Sequence, residues 1–452
     1  MTDASADRSA DGHSRAKTSL LQLDVRTKKR NAAEARFKAY GVVAIAIGLF
    51  FLIALLTAIV SNGTRAFTQT FVTMDVTLDA QKLDPDGTGD PEVISKTTTF
   101  GYGGIIDAAL EQTLAARGIT TEIAVGDLDK MLSSGAAAEI RRAVLDDTSL
   151  VGQTVTFEVL ASSRVDGYLK GRVTRESLAR DRNLSPEHLD VVDALQEAGL
   201  VERRFNWAFI TGSDASESRP EQAGIGVSMI GSFFMMLVVL VLSLPIGVAT
   251  SIYLEEFAPQ NRITDFIEVN ISNLAAVPSI VFGILGLAIF IQVAHLPQSA
   301  PLVGGLVLTL MTLPTIIIST RASLKSVPPS IRDAALGVGA SKMQSIFHHV
   351  LPLAMPGILT GTILGLAQAL GETAPLLLIG MVGFIASNYP DGIAEGFLSP
   401  NSAMPAQIYE WAKRADPAYY ERAWGGIIIL LLFLMTMNII AILLRRRFER
   451  RW

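Results

Sequence analysis

Charge is distributed along this chain in a way that leaves few folds open: long stretches carry none at all. Ala39 to Thr64 is uncharged, as are Gln222 to Leu254 and Trp424 to Leu444, and Val269 to Thr320 holds only His295. A helix needs roughly 20 apolar residues to cross a bilayer core. Tyr40–Val60 therefore reads as one span and 222–254 as a second. The 269–320 block is too long for one helix, and His295-Leu296-Pro297-Gln298-Ser299-Ala300-Pro301 divides it, because proline ends helices. It supplies a third and a fourth span. Pro352 to about Phe384 gives a fifth, and Trp424–Leu444 a sixth.

Basic residues orient the set. Lys28, Lys29, Arg30, Arg36 and Lys38 precede the first span, which places the amino terminus in the cytoplasm. Six spans return the carboxyl terminus there, where Arg445–Arg451 is rich in arginine and suits anionic membrane lipid. The expected class is an all-α polytopic protein of the cytoplasmic (inner) membrane with six transmembrane helices. Residues 1–38 form a cytoplasmic tail, which turns helical near Asn31–Lys38, and 39–60 the first helix. Residues 61–222 are soluble in character and form an inserted α+β extracytoplasmic domain, and 223–452 form the transmembrane core. Within the insert, Thr70–Ala80 and Val155–Leu160 read as strands and Ile105–Ala116 as a helix. Another helix starts at Ser185-Pro186 and closes at Gly199.

Several chemistries are excluded. There is no cysteine among the 452 residues, so neither a disulfide framework nor a thiolate metal site can form. Five histidines occur without metal-ligand spacing, and Gly337-Val338-Gly339-Ala340-Ser341-Lys342 lacks the spacing of a nucleotide-binding P-loop. No nucleophile–base pair stands out. The chain is expected to be no enzyme, to need no cofactor and to bind no nucleic acid.

The most informative polar segment is 326–352, a cationic loop between two apolar blocks. Ile331-Arg332-Asp333-Ala334-Ala335-Leu336 is a short helix with small residues that permit close approach. Gly337 and Gly339 allow the backbone to reverse, and Ser341-Lys342-Met343-Gln344 is a capping-box pattern that restarts a helix toward Leu351-Pro352. On periodicity alone an ordinary amphipathic linker fits equally well. The order Asp333-Ala334-Ala335, Gly339, Leu351-Pro352 resembles the EAA loop of type I ABC importer permeases. Asn273–Gly283 and Gly371-Glu372-Thr373-Ala374-Pro375-Leu376-Leu377 are similar to stretches of the same family, the last most of all to its phosphate-importer (PstA-type) branch. The resemblance covers 225–452, about half of the chain. Asp333 stands where relatives usually carry Glu, and Gln368 where many carry a basic residue.

The resemblance implies a phosphate-import permease. It would form the path with a second (PstC-like) permease and take phosphate from a periplasmic (PstS-like) binding protein. A dimeric (PstB-like) ATPase would dock at Ile331, Arg332, Asp333, Ala334, Ala335, Gly339, Ser341, Leu351 and Pro352. Pathway or gate candidates are Glu372, Thr373, Pro375, Pro278, Ser279 and Gln368. Glu372 lies about 30 Å along an unbroken helix from Pro352: it is either a gate carboxylate paired with a cation of the partner permease or a hydrated group near the outer surface. Pro278 either kinks the third span for packing or bends it so that Ser279 lines the path. Gly283, Gly286, Gly361 and Gly365 read as helix-contact positions. The alternatives are a permease for another oxyanion, such as sulfate or molybdate, and a membrane-anchored sensor acting through 61–222.

Overall fold

The computed structural model describes residues 25–85, 87, 89–179, 181, 183–381 and 389–448. The chain divides into two units, Met1–Ala58 and Ile59–Trp452. The first unit is dominated by the helix Val25–Gly63, which takes in both the apolar block and the basic stretch before it.

The soluble region of the second unit is built on a three-stranded antiparallel sheet in the order β2-β1-β3. These strands are β1 (Thr68–Thr77), β2 (Thr154–Leu160) and β3 (Val201–Phe205). Phe71 faces Leu160 on one side and Glu202 on the other. Val72, Met74 and Val76 alternate into the core. Helix Thr99–Ala116 packs on the sheet, contributing Tyr102, Ile105, Ile106, Ala109 and Leu110 at helical spacing. β1 stops at Thr77, short of the expected Ala80, because Asp79 caps a new helix at Ala80–Leu83 by accepting from the Gln81 N–H.

Five helices are long and apolar enough to cross a membrane, or six if one bent pair counts as a span. The spans are Val25–Phe67, Gly226–Phe257, Pro301–Lys325, Lys342–Gly371 and Pro417–Leu443. The bent pair is Arg262–Leu274 with Ser279–Val293, turned by 101°. This revises the kinked third span. Pro278 does not bend a continuous helix but stands at its start, as the residue before Ser279–Gly286. Arg262–Leu274 is a separate amphipathic helix, capped by Asn261. The fifth span also ends early, at Gly371, and is followed by a short helix, Ala374–Leu378. Phe384 lies outside the described residues. The last helix starts at Pro417 rather than Trp424.

The bundle packs through small residues. A Cβ on Gly247 would meet Ile316 Cγ2 at 2.7 Å, and one on Gly305 would meet Val238 Cβ at 2.5 Å. Gly357, Gly361 and Gly365 lay one face of Leu351–Gly371 against Ser323, Ser319 and Thr312 of the 301–325 helix. The glycines marked in the sequence as contact positions therefore sit where two helices touch.

Buried charge joins the soluble region to the start of the last helix. Lys170 Nζ lies 2.6 Å from Asp166 and 2.7 Å from Glu421, and donates to the Thr68 carbonyl at 2.7 Å. Arg422 donates to the carbonyls of Ala66, Pro220 and Glu221. Asp214 pairs with Arg414 at 2.5 Å and accepts from the Trp411 indole at 2.8 Å. Each of these charged side chains is buried.

The Glu221 carboxyl, which accepts from Ser133, is pushed above the usual carboxylate range by burial. A raised carboxyl contributes stability that is whole below its unfolded pKa, about pH 4, and is lost as pH rises through the folded value. Thermal melts of the wild type and Glu221→Gln should therefore diverge as pH rises from about 4 to about 8, with the variant gaining. A difference that is constant across this range would contradict the assignment.

Candidate functional site

The 326–352 loop folds as two short helical pieces around a reversal. Pro328 precedes helix Pro329–Gly337, and Pro329 occupies its first turn, where a missing N–H costs nothing. The far end closes as a Schellman motif: the Gly339 N–H donates to Leu336 O at 3.0 Å and the Ala340 N–H to Ala335 O at 3.1 Å. Gly339 takes φ +91°, a conformation that disfavours side chains. Ser341 and Gln344 then form the capping box read from the sequence, with Ser341 N–H to Gln344 Oε1 at 2.9 Å and Gln344 N–H to Ser341 Oγ at 3.2 Å. The chain runs on through Ile346–Val350 into Leu351–Gly371, with Leu351 and Pro352 in its first turn.

Arg332 anchors this loop. Its guanidinium donates to Glu256 Oε1 at 2.7 and 3.0 Å and to the carbonyls of Leu324 and Val327. Glu255 and Glu268 bracket Arg321 in the same region, with Glu268 at 2.6 Å and Glu255 at 3.4 Å. Ile331 and Leu351 pack against a small core of Ile252, Leu324, Val327, Ile346, Val350, Ala354 and Ile358. Ala335 is buried, whereas Asp333, Ala334, Gly339 and Ser341 are exposed. The outward side carries large apolar groups: Leu336 is 49% exposed, Val338 86%, Met343 56% and Phe347 47%. Sequence reasoning misses two parts of this arrangement. The acidic pair Glu255-Glu256 carries no motif, yet Glu256 holds the loop. Val338 and Phe347 carry no motif.

The gate candidates fall in a second place. Helix Ser279–Gly286 and helix Ala374–Leu378 run side by side, touching where a Gly283 Cβ would meet Pro375 Cα at 2.7 Å. A Gly286 Cβ would meet Ile379 at 3.5 Å, so the two helices are parallel. Pro278-Ser279 and Glu372-Thr373 thus stand at the starts of neighbouring short helices. Glu372 is the residue after a helix of 21 residues, unbroken from Leu351, and is half-buried without an ion pair among the described residues. Pro375 is buried, and Pro278 and Gln368 are exposed. Gly283→Leu should force these helices apart. We expect a loss of about 1–3 kcal/mol, typical of overpacking, read as a lower melting temperature in detergent; an unchanged melt would deny the contact.

Residues 243–452 match the family described as "Binding-protein-dependent transport system inner membrane component". Residues 24–179 match a domain of unknown function, DUF3333. The "Probable ABC transporter permease protein YqgI" of Bacillus subtilis is 30% identical over 246 residues, covering 53% of this chain and 82% of the relative. The chain belongs to the family of ABC transporter inner-membrane permeases. A second relative, "Phosphate transport system permease protein PstA 1" of Mycobacterium tuberculosis, is 33% identical over 230 residues, 50% of this chain and 72% of its own length. A solved inward-facing structure of the MetNI methionine ABC transporter shares 16% identity at a TM-score of 0.38, covering 50% of this chain and 95% of that one. This permease is therefore a multi-pass transport subunit, not a catalyst. As a binding-protein-dependent permease it works with an ATPase and a binding protein.

Proposed function

We propose that this permease is the PstA-type subunit of a phosphate importer. The single observation that carries the coupling part is the anchored, outward-facing 326–352 loop. A short helix is pinned from behind by Arg332–Glu256 and shows Leu336, Val338, Met343 and Phe347 to its surroundings. Phosphate is supported by the PstA-named relatives and by the string Gly371–Leu377.

In this reading both termini and the loop face the cytoplasm, and residues 61–222 face outward. ATP binding closes the ATPase dimer, the closure pulls on Ile331–Gly339, and the rigid Leu351–Gly371 helix carries the motion across the bilayer. At its far end that motion reaches Glu372 and the paired short helices, which with a PstC-like partner gate the path. The permease makes no covalent change in its cargo; a PstS-like protein delivers the anion.

Two measurements test this. Purification from mild detergent should bring down a second permease and an ATPase. Uptake of labelled phosphate should be competed by unlabelled phosphate but not by equal sulfate or molybdate. Purification of the chain without any ATPase would remove the coupling role, and competition by sulfate or molybdate would reassign the substrate.

A further inference from the structure

Between helices Gly226–Ile252, Leu351–Gly371 and Pro417–Phe448 lies a cavity of about 230 Å³. Its wall is almost wholly aliphatic, with Leu240, Ile363, Leu366 and Met437 among its residues, and no charged side chain lines it. It follows the 351–371 helix from Leu359 to Leu370, which at 1.5 Å per residue is roughly 17 Å. That is about one leaflet of a hydrocarbon core roughly 30 Å thick. The length and the aliphatic lining of this slot suit an alkyl chain.

A cation stands at the Leu359 end. Arg445 donates through Nη1 to Thr360 Oγ1 at 3.1 Å, while its Nε makes no hydrogen bond among the described residues. No carboxylate pairs with it among the described residues. Among the described residues at this end of the bundle, Glu255 and Glu268 pair with Arg321, and Glu256 with Arg332. Arg446, next in the chain, is exposed. Arg445 follows the last apolar stretch directly, and its planar fork matches a phosphate diester.

We propose that the slot holds one acyl chain of an anionic phospholipid whose phosphate pairs with Arg445. The lipid then ties the end of the last helix to the helix that continues the 326–352 loop. The site is independent of what the permease transports.

The test uses the full-length chain, delipidated in mild detergent, with dioleoyl-phosphatidylglycerol and dioleoyl-phosphatidylcholine offered separately and retained lipid counted by native mass spectrometry. The wild type should favour phosphatidylglycerol by about fivefold, the worth of one cation near a charged headgroup. Arg445→Gln should bring the two lipids to parity, and Arg445→Lys should keep most of the preference. Ala441→Phe, which fills the slot, should cut retention of both. Equal retention of both lipids by the wild type would overturn the headgroup assignment. Unchanged retention by Ala441→Phe would overturn the chain site and leave the slot to another protein segment.

Discussion

Leucine in place of Gly339 should abolish uptake while the protein still inserts in the membrane. The reason is conformational. Gly339 holds φ +91°, and nothing lies within 4 Å of where its Cβ would stand. The substitution therefore meets no neighbour; it only makes the left-handed backbone expensive, by about 1–3 kcal/mol. That is too little to unfold a bundle of this size but enough to re-route an exposed reversal between two short helices. The outward row Leu336, Val338, Met343 would then lose its alignment. Gly339→Asn should keep most of the activity, because asparagine tolerates this region of backbone. Asp333→Lys should also stop uptake, by reversing an exposed charge on the same helix. On the proposed function, phosphate uptake into vesicles, normalised to inserted protein, reads all three. Normal uptake by Gly339→Leu would remove the loop from the mechanism.

Asp214→Ala is expected to be strongly destabilising. Asp214 and Arg414 have side-chain exposures of 3% and 5%. Removing the carboxylate leaves a buried guanidinium uncompensated, which costs about 3–5 kcal/mol. The Trp411 indole N–H also loses its acceptor. Asp214→Asn should fall between the two, since it can still accept from Trp411. Thermal unfolding in detergent and limited proteolysis near residues 214–222 provide the measurement. A variant as stable as the wild type would mean that the buried charges do not hold the soluble region to the last helix.

The spans are legible in the amino-acid sequence because membrane insertion is decided by charge-free length, a property visible in one pass along the chain. Turn chemistry is legible for the same local reason. Gly339 and the Ser341–Gln344 box act over three or four residues, and both stand in the structure as read. What escapes depends on partners far away in sequence. β3 is Val-Glu-Arg-Arg-Phe, without apolar alternation, and it becomes a strand only because β1 offers an edge. The last helix begins at Pro417 although Glu421 and Arg422 look too charged for it; their partners are Lys170, Ala66, Pro220 and Glu221. Pro278 is expected inside a span, and the 101° turn beside it reflects two helices with different neighbours rather than one bent helix. In the candidate site, Arg332 is marked by its motif, but its partner Glu256 lies 76 residues earlier.

The absence of native cysteine makes the decisive measurement clean. Val338→Cys, at a position 86% exposed, should cross-link to the ATPase subunit in membranes, with a yield that changes when nucleotide is added. Phe100→Cys, 94% exposed in the soluble region, should not cross-link to it and should instead react with an impermeant thiol reagent added from outside intact cells. The reverse pattern, with Val338→Cys labelled from outside and no bond to the ATPase under any nucleotide condition, would contradict the account.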